Sequence, residues 1–244
     1  LAVARGSPQS MALCSNKGVL MTYDYLIFDL DGTISDPKTG IVKSINHALK
    51  FHGFRERDDD ELSTFIGPPL DTTFSSLVST SDNELISSLV SKYRERYSDI
   101  GYSENALYPD IAESLEKLSS IPDIKLGVCT SKRVDFAERI LKMFSIRDHF
   151  IFVNGGDVGI EKWQQLELLL KQNAINHKSL MIGDRYVDLT AAHKNKLQSV
   201  GVLWGYGSHA ELSQHKPVRI LSNPCELVSL ATKRFKRLRG QRKP

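Results

Sequence analysis

Asp29 and Asp31 stand one residue apart, behind Leu26, Ile27 and Phe28 and ahead of Gly32 and Thr33. The three apolar residues read as the end of a buried strand. In an extended chain, residues two apart point to the same side, so both carboxylates would face one spot. Gly32 lets the backbone turn sharply, and Thr33 adds a hydroxyl. Two like charges this close call for a cation or a proton between them. A lone Asp-Gly is an ordinary turn signal. Here later segments supply the groups that such an acid pair needs.

Leu126 to Cys129 reads as a strand that ends in Thr130, Ser131 and Lys132. A hydroxyl pair entering a helix N-terminus is a good contact for an anion. Leu180 to Ile182 reads as a short buried strand ending in Gly183 and Asp184, with Asp188 four residues further on. That spacing allows one helix face to carry both acids. Lys162 opens the helix that follows Gly155-Gly156. Taken singly, Thr130 or Ser131 is a helix cap, Lys162 a solvated surface lysine and Asp188 another cap. Gathered at one edge, the carboxylates favour a hard divalent cation, and Mg2+ also suits a phosphate partner. The lysine and hydroxyls would hold that phosphate, which together is equipment for phosphoryl transfer. A carboxylate in such a site can act as nucleophile and form an aspartyl phosphate.

The elements that must position these groups follow from the apolar pattern. Residues 22–30 read as the first strand, and residues 34–38 as a linker broken by Pro37. Ile41, Ile45, Ala48 and Leu49 recur at helical spacing, with Gly53 placed to end that helix. Asp58 to Glu61 reads as a helix start, Gly67-Pro68-Pro69 as a break, and Leu70 to Val78 and Asp82 to Tyr97 as two further helices. After Gly101 strands and helices alternate: a helix through Ile111 and Leu118, a strand at Lys125 to Thr130, a helix at Arg133 to Phe144, and a strand at His149 to Asn154. Trp163 to Lys171 is helical, and Leu189 to Leu197 and Ser199 to Leu203 form the last helix and strand. Such alternation argues for an α/β fold, a parallel sheet with helices on both faces. Sites in such sheets lie at the C-terminal ends of the strands. The expected organisation is a disordered extension at 1–21, an α/β core at 22–35 and 102–232, a helical insertion at 36–101, and a basic tail at 233–244.

Composition narrows the class. An apolar content of 41% and a charged content of 25% over 244 residues are those of a globular protein in water. No run approaches the roughly 18 apolar residues of a membrane span, and the first 20 residues hold no continuous apolar block, so no secretory signal is expected. Cys14, Cys129 and Cys225 lack metal-ligand spacing, as do the seven histidines. The sparse cysteines suit a reducing cytosol, and the expected location is cytoplasmic. Seven basic residues between Lys233 and Lys243, with no acid, carry the net charge from −4 to +3. This run is the one feature that points to nucleic acid or an anionic surface; a solvated terminus is the plainer reading.

The chain resembles the haloacid dehalogenase superfamily, on its phosphatase branch, over essentially residues 22–232. Asp29-Leu30-Asp31-Gly32-Thr33 matches the family's first motif, Asp-x-Asp-Gly-Thr. Thr130 with Ser131 and Lys132 resembles the second motif, Lys162 the third, and Gly183-Asp184 with Asp188 the fourth. The run of helices after the first motif resembles the small helical cap of this group. Ile66-Gly67-Pro68-Pro69-Leu70 and Trp204-Gly205-Tyr206-Gly207-Ser208 look most like the phosphoglycolate phosphatase-like subgroup.

The resemblance implies a Rossmann-like parallel-sheet core with a small inserted all-helical cap. By position it implies that Asp29 attacks phosphorus, and that Asp31 protonates the leaving oxygen and later activates water. Thr130 and Lys162 would bind the phosphoryl oxygens, with Gly32, Thr33 and Ser131 also lining the substrate site. Mg2+ would be held by Asp29, the Asp31 backbone carbonyl and Asp184, with Asp188 acting directly or through water. Lys171, further along the same helix, is the alternative to Lys162. The expected partner is a small phosphorylated metabolite, with no membrane and no nucleic acid beyond the basic tail, and the expected assembly a monomer or homodimer. 2-Phosphoglycolate leads as substrate, followed by a nucleoside 5'-monophosphate or pyrophosphate. A phosphosugar mutase and a non-enzymatic module binding anions through the tail are the competing functions. A dehalogenase would need neither Asp31 nor a metal cluster.

Overall fold

The central strand is β1 (Tyr25–Phe28), with Leu26, Ile27 and Phe28 all buried. In the computed structural model, which describes residues 23–156 and 160–231, β1 lies between β4 (Lys125–Arg133) and β6 (Ser179–Gly183), parallel to both. Beyond β4 lies β5 (Phe150–Gly156), and beyond β6 lie β7 (Gln198–Val202) and β8 (Arg219–Leu221). The sheet order is β5-β4-β1-β6-β7-β8, and every pairing is parallel. From β1 the chain first builds outward to one side and then returns to build the other. The switch point therefore falls at β1, where open α/β sheets leave a crevice beyond the strand ends.

Alternation along the strands divides the core between two faces. Leu26, Phe28, Val128, Leu180 and Ile182 face one cluster, closed by α5 (Ile111–Ser119), α6 (Val134–Met143) and the 3-10 helix Pro224–Leu230. Ile27, Cys129 and Met181 face the other, closed by α7 (Lys162–Lys171) and α8 (Tyr186–Lys194). Phe28 is in register with Val128 and with Ile182. The residues that follow these three therefore emerge together at one sheet edge.

Between β1 and β4 come α1 (Lys38–Phe51), α2 (Asp59–Ser63), α3 (Leu70–Val78) and α4 (Asn83–Asp99). Local chemistry sets their ends. Gly53, at φ +76°, follows α1 in the left-handed region. The Asp58 carboxylate accepts from Glu61 N at 2.8 Å, and that of Asp82 from Glu84 N at 2.9 Å, each satisfying a free amide of a helix's first turn. The inner faces, including Ile45, Leu49, Leu62, Phe74, Leu89 and Tyr93, form their own cluster, into which α6 inserts Phe136.

Two short strands, β2 (Ser35–Asp36) and β3 (Ala106–Leu107), pair antiparallel where the chain leaves and re-enters the sheet. The Asp36 carboxylate accepts from Lys38 N at 2.9 Å and from the Tyr206 hydroxyl, tying this ribbon to the loop after β7.

Several boundaries differ from those expected. The first strand ends at Phe28, because three amides, Thr33, Ile34 and Ser35, fold back on the Leu30 carbonyl at 3.3, 2.9 and 3.1 Å. The linker at 34–38 contains β2. Thr130 and Ser131 do not enter a helix: β4 runs on to Arg133, and α6 begins at Val134. Gly155 and Gly156 belong to β5, with Gly156 paired to Arg133. The short α9 (His209–Gln214) and β8 carry too few residues to show a period. The extension at 1–21, the basic tail and residues 157–159 lie outside the described residues. Among those described, no helix is long and apolar enough to cross a membrane.

Candidate active site

β1 delivers Asp29 to the sheet edge, where its amide still bonds Ile182 O at 2.9 Å. The turn that follows needs Gly32. Its φ is +83°, and a Cβ there would lie 2.2 Å from the Asp184 carboxylate. The loop after β7 comes equally close, since a Cβ on Gly205 would meet Gly32 O at 2.2 Å. These two glycines let three chain segments converge on Asp184 without side chains between them.

Asp29, Asp184 and Asp188 are all buried, and their carboxylate oxygens approach within 4.8 Å of one another. Asp184 comes from the turn after β6, and Asp188 from the first turn of α8. Tyr206 N donates to Asp184 at 2.8 Å and the Thr33 hydroxyl at 3.3 Å. Arg185 N donates to Asp188 at 3.1 Å, so this acid also caps its own helix. Lys162, the first residue of α7, lies 2.9 Å from Asp29 and in contact with Asp188. Lys171 is exposed and paired with Glu167 at 3.0 Å, which leaves Lys162 as the lysine of this cluster.

Burial dominates the electrostatics. It raises the pKa of Asp184 and Asp188 above the ordinary 3.8, with repulsion among the acids acting in the same sense and Lys162 opposing it. Its acid neighbours hold Lys162 protonated despite its own burial. Ionised together, the three carboxylates would outnumber the one ammonium by two charges in a buried group. Asp29 Oδ1 is buried and accepts no well-directed hydrogen bond, though Lys162 is near. All-oxygen donors, three acids gathered around one ammonium and an under-satisfied carboxylate fit a divalent cation.

Asp31 is separate from this cluster. Its Oδ2 lies 2.9 Å from Lys132 Nζ, and its Oδ1 is buried without a hydrogen-bond partner. Burial raises its pKa, against the pull of Lys132. Thr130 is buried, and its hydroxyl accepts from Lys132 N at 3.2 Å. Ser131 is exposed and lies outside the buried group.

The sequence names Lys132 as part of the second motif without a role of its own, although the signal for one is there. If β4 continues past Thr130, two-residue alternation puts Lys132 on the same face as Thr130. Three other contacts are not singled out from the sequence. Trp204 Nε1 donates to Thr33 O at 2.9 Å. Arg185 pairs with Glu211 at 3.0 Å and donates to Ile66 O at 3.0 Å, joining the acidic turn to the helical segment. Only long-range folding brings these together.

The haloacid dehalogenase-like hydrolase family model matches residues 26–202. A 5'-nucleotidase of Pseudomonas aeruginosa is 36% identical over 201 residues, 81% of this chain and 90% of that one. The Tyrosine-protein kinase PtkA of Mycobacterium tuberculosis is 32% identical over 186 residues, 75% of this chain but only 62% of that longer one. A phosphoglycolate phosphatase of Aquifex aeolicus is 29% identical over 217 residues, 84% of this chain and 95% of that one. Among solved structures, a putative phosphatase from Clostridium difficile superposes with a TM-score of 0.78 at 37% identity, covering 86% of this chain and 99% of that one. With a family model spanning most of the chain and these acids at its strand ends, the chain belongs to the haloacid dehalogenase-like hydrolase family, as an enzyme of its phosphatase branch.

Proposed function

We propose that this protein is a Mg2+-dependent phosphatase that hydrolyses a small phosphomonoester through a phosphorylated Asp29. The observation that carries the reading is the buried group of Asp29, Asp184 and Asp188 around Lys162, at the C-terminal ends of β1 and β6 and the first turns of α8 and α7. Asp29, Asp184 and Asp188 would hold Mg2+, together with the Asp31 carbonyl. The cation would offset the charge of the substrate's phosphoryl oxygens, so that an anionic nucleophile can approach an anionic ester.

The residues then divide the work. An Asp29 carboxylate oxygen attacks phosphorus, the bond to the ester oxygen breaks with its electron pair, and Asp31 gives that oxygen a proton. Water next attacks the phosphorus of the aspartyl phosphate, losing a proton to Asp31, and the P–O bond to Asp29 breaks to release phosphate. Thr130 and Lys162 bind phosphoryl oxygens, and Lys162 also offsets charge beside Asp29. Gly32, Thr33 and Ser131 belong to the substrate site in this reading. Burial raises the pKa of Asp31 and Lys132 opposes that rise, so the two act on this acid in opposite senses.

Residues 22–35 and 102–232 act as the catalytic core, and 36–101 as a cap that selects the substrate. A small acid such as 2-phosphoglycolate is the first reading. A nucleoside 5'-monophosphate is the second, favoured by the 36% identity to a 5'-nucleotidase. A cytoplasmic site of action agrees with the free thiols of Cys129 and Cys225. The test is phosphate release from 2-phosphoglycolate, nucleoside monophosphates and pyrophosphate, with and without Mg2+. Metal-dependent release from a monoester is expected; no release from any of them would overturn the reading.

A further inference from the structure

We propose that Lys132 is a positioning residue for the acid/base Asp31, and that Tyr97, on α4 of the helical segment, seats Lys132 for that task. The proposal rests on the assignment of Asp31 made above. Lys132 Nζ lies 2.9 Å from Asp31 Oδ2 and donates to the Tyr97 hydroxyl at 2.6 Å. The pair is well enclosed, with 8% of the lysine side chain and 19% of the aspartate side chain exposed. Tyr97 is itself fixed, stacked on Tyr93 with ring centroids 5.4 Å apart and edge-on to Phe136 of α6 at 5.2 Å.

A carboxyl group turns readily about its last bond, so either oxygen can face a substrate. Here Lys132 holds Oδ2, and Oδ1 is the oxygen left without a partner. That contact fixes the plane of the carboxyl group, with the buried Oδ1 as the oxygen not committed to a partner. A supporting contact of this kind matters because proton transfer needs the heavy atoms within hydrogen-bond reach. The support also crosses between two parts of the molecule. Lys132 stands at the end of β4, whereas Tyr97 comes from a helix packed in the separate cluster around Phe74 and Leu89. Asp31 is therefore fully oriented only while α4 rests against α6 and the end of β4.

Comparing leaving groups separates this role from a merely structural one. p-Nitrophenolate departs without a proton, whereas the alkoxide of an alkyl phosphate needs one. kcat/KM reports the steps up to transfer onto Asp29. Lys132→Met should lower kcat/KM for the best alkyl phosphate of the panel about 10- to 100-fold more than for p-nitrophenyl phosphate. Tyr97→Phe should shift the ratio the same way, by less. The ratio is taken within one preparation, so the folded fraction cancels; if Lys132→Met does not accumulate, Tyr97→Phe carries the comparison. Asp31→Asn is the control. If it lowers both substrates equally, the assignment of Asp31 falls, and this proposal with it. If Asp31→Asn splits the substrates and neither Lys132→Met nor Tyr97→Phe does, the proposal alone is overturned.

Discussion

Two lysines, Lys162 buried and Lys132 largely enclosed, stand among the acids of this site, and their surroundings differ in one decisive respect. Lys162 is shared between Asp29 and Asp188, with Asp184 close by, so its half holds three acids and one base. Lys132 meets one acid, Asp31, and the hydroxyl of Tyr97. The first half is short of positive charge and built entirely from the strand ends and helices of the sheet. The second is balanced and takes part of its support from the helical segment. In the proposed reaction, these similar Asp–Lys contacts would do different work: one would take up a cation, the other would hold and release a proton.

The sharpest way to break this contrast is to remove the nucleophile. Asp29→Asn should lower kcat by at least about 10⁴-fold while leaving the melting temperature of the metal-free protein unchanged or higher, since a buried charge is lost. Activity near wild type would mean that the cation-poor half does not perform the chemistry. Lys162→Met should cost the metal-free fold about 3–5 kcal/mol, because it strands buried acids without their one cation; denaturant unfolding gives the value. If Mg2+ serves this half, saturating metal should recover part of that loss.

Asp184→Asn should abolish the stabilisation by Mg2+, expected in the wild type to reach about 2.7 kcal/mol at a hundredfold excess over Kd. An unchanged Mg2+-dependent shift in melting temperature would place the cation elsewhere.

The pH dependence is a subtler test. Asp184 and Asp188 have pKa values raised above 3.8 in the fold. Above that pH the native state holds more protons than the unfolded chain, so the stability of the metal-free protein falls as pH rises through the window. Mg2+ binds the ionised carboxylates and should flatten or reverse that slope. Melting curves between about pH 4 and 8 check the sign; rising metal-free stability across that range would contradict it.

The smallest expected effect is at the seam. Arg185→Ala removes the bond to Ile66 O and the pair with Glu211. It should cost about 1–2 kcal/mol and raise KM more than it lowers kcat, as steady-state kinetics would show.

Much of this site was legible along the chain, for specific reasons. Asp29 and Asp31 follow a buried apolar run, and Asp184 follows another, so the parallel-sheet rule places them at one edge. The helices from Lys38 to Asp99 were legible through their spacing and their caps at Asp58 and Asp82. The sequence names Lys132 only as part of the second motif and gives it no role, because a strand ending at Thr130 hides that Lys132 shares its face, which the strand running on to Arg133 reveals. β2, β3 and β8 have two or three residues each, too few for any period to appear.

Sequence by itself determined the chemical types, their order and the edge at which they meet. Tertiary structure alone decided how they divide: Lys162 between two acids, Lys132 with one, and Tyr97 brought to it from another cluster. The reason is physical. Which strand end a residue occupies follows from local pattern, because strand and helix periods are local properties. Which charge pairs with which depends on distances of a few ångströms between segments far apart in the chain, and packing alone sets those distances.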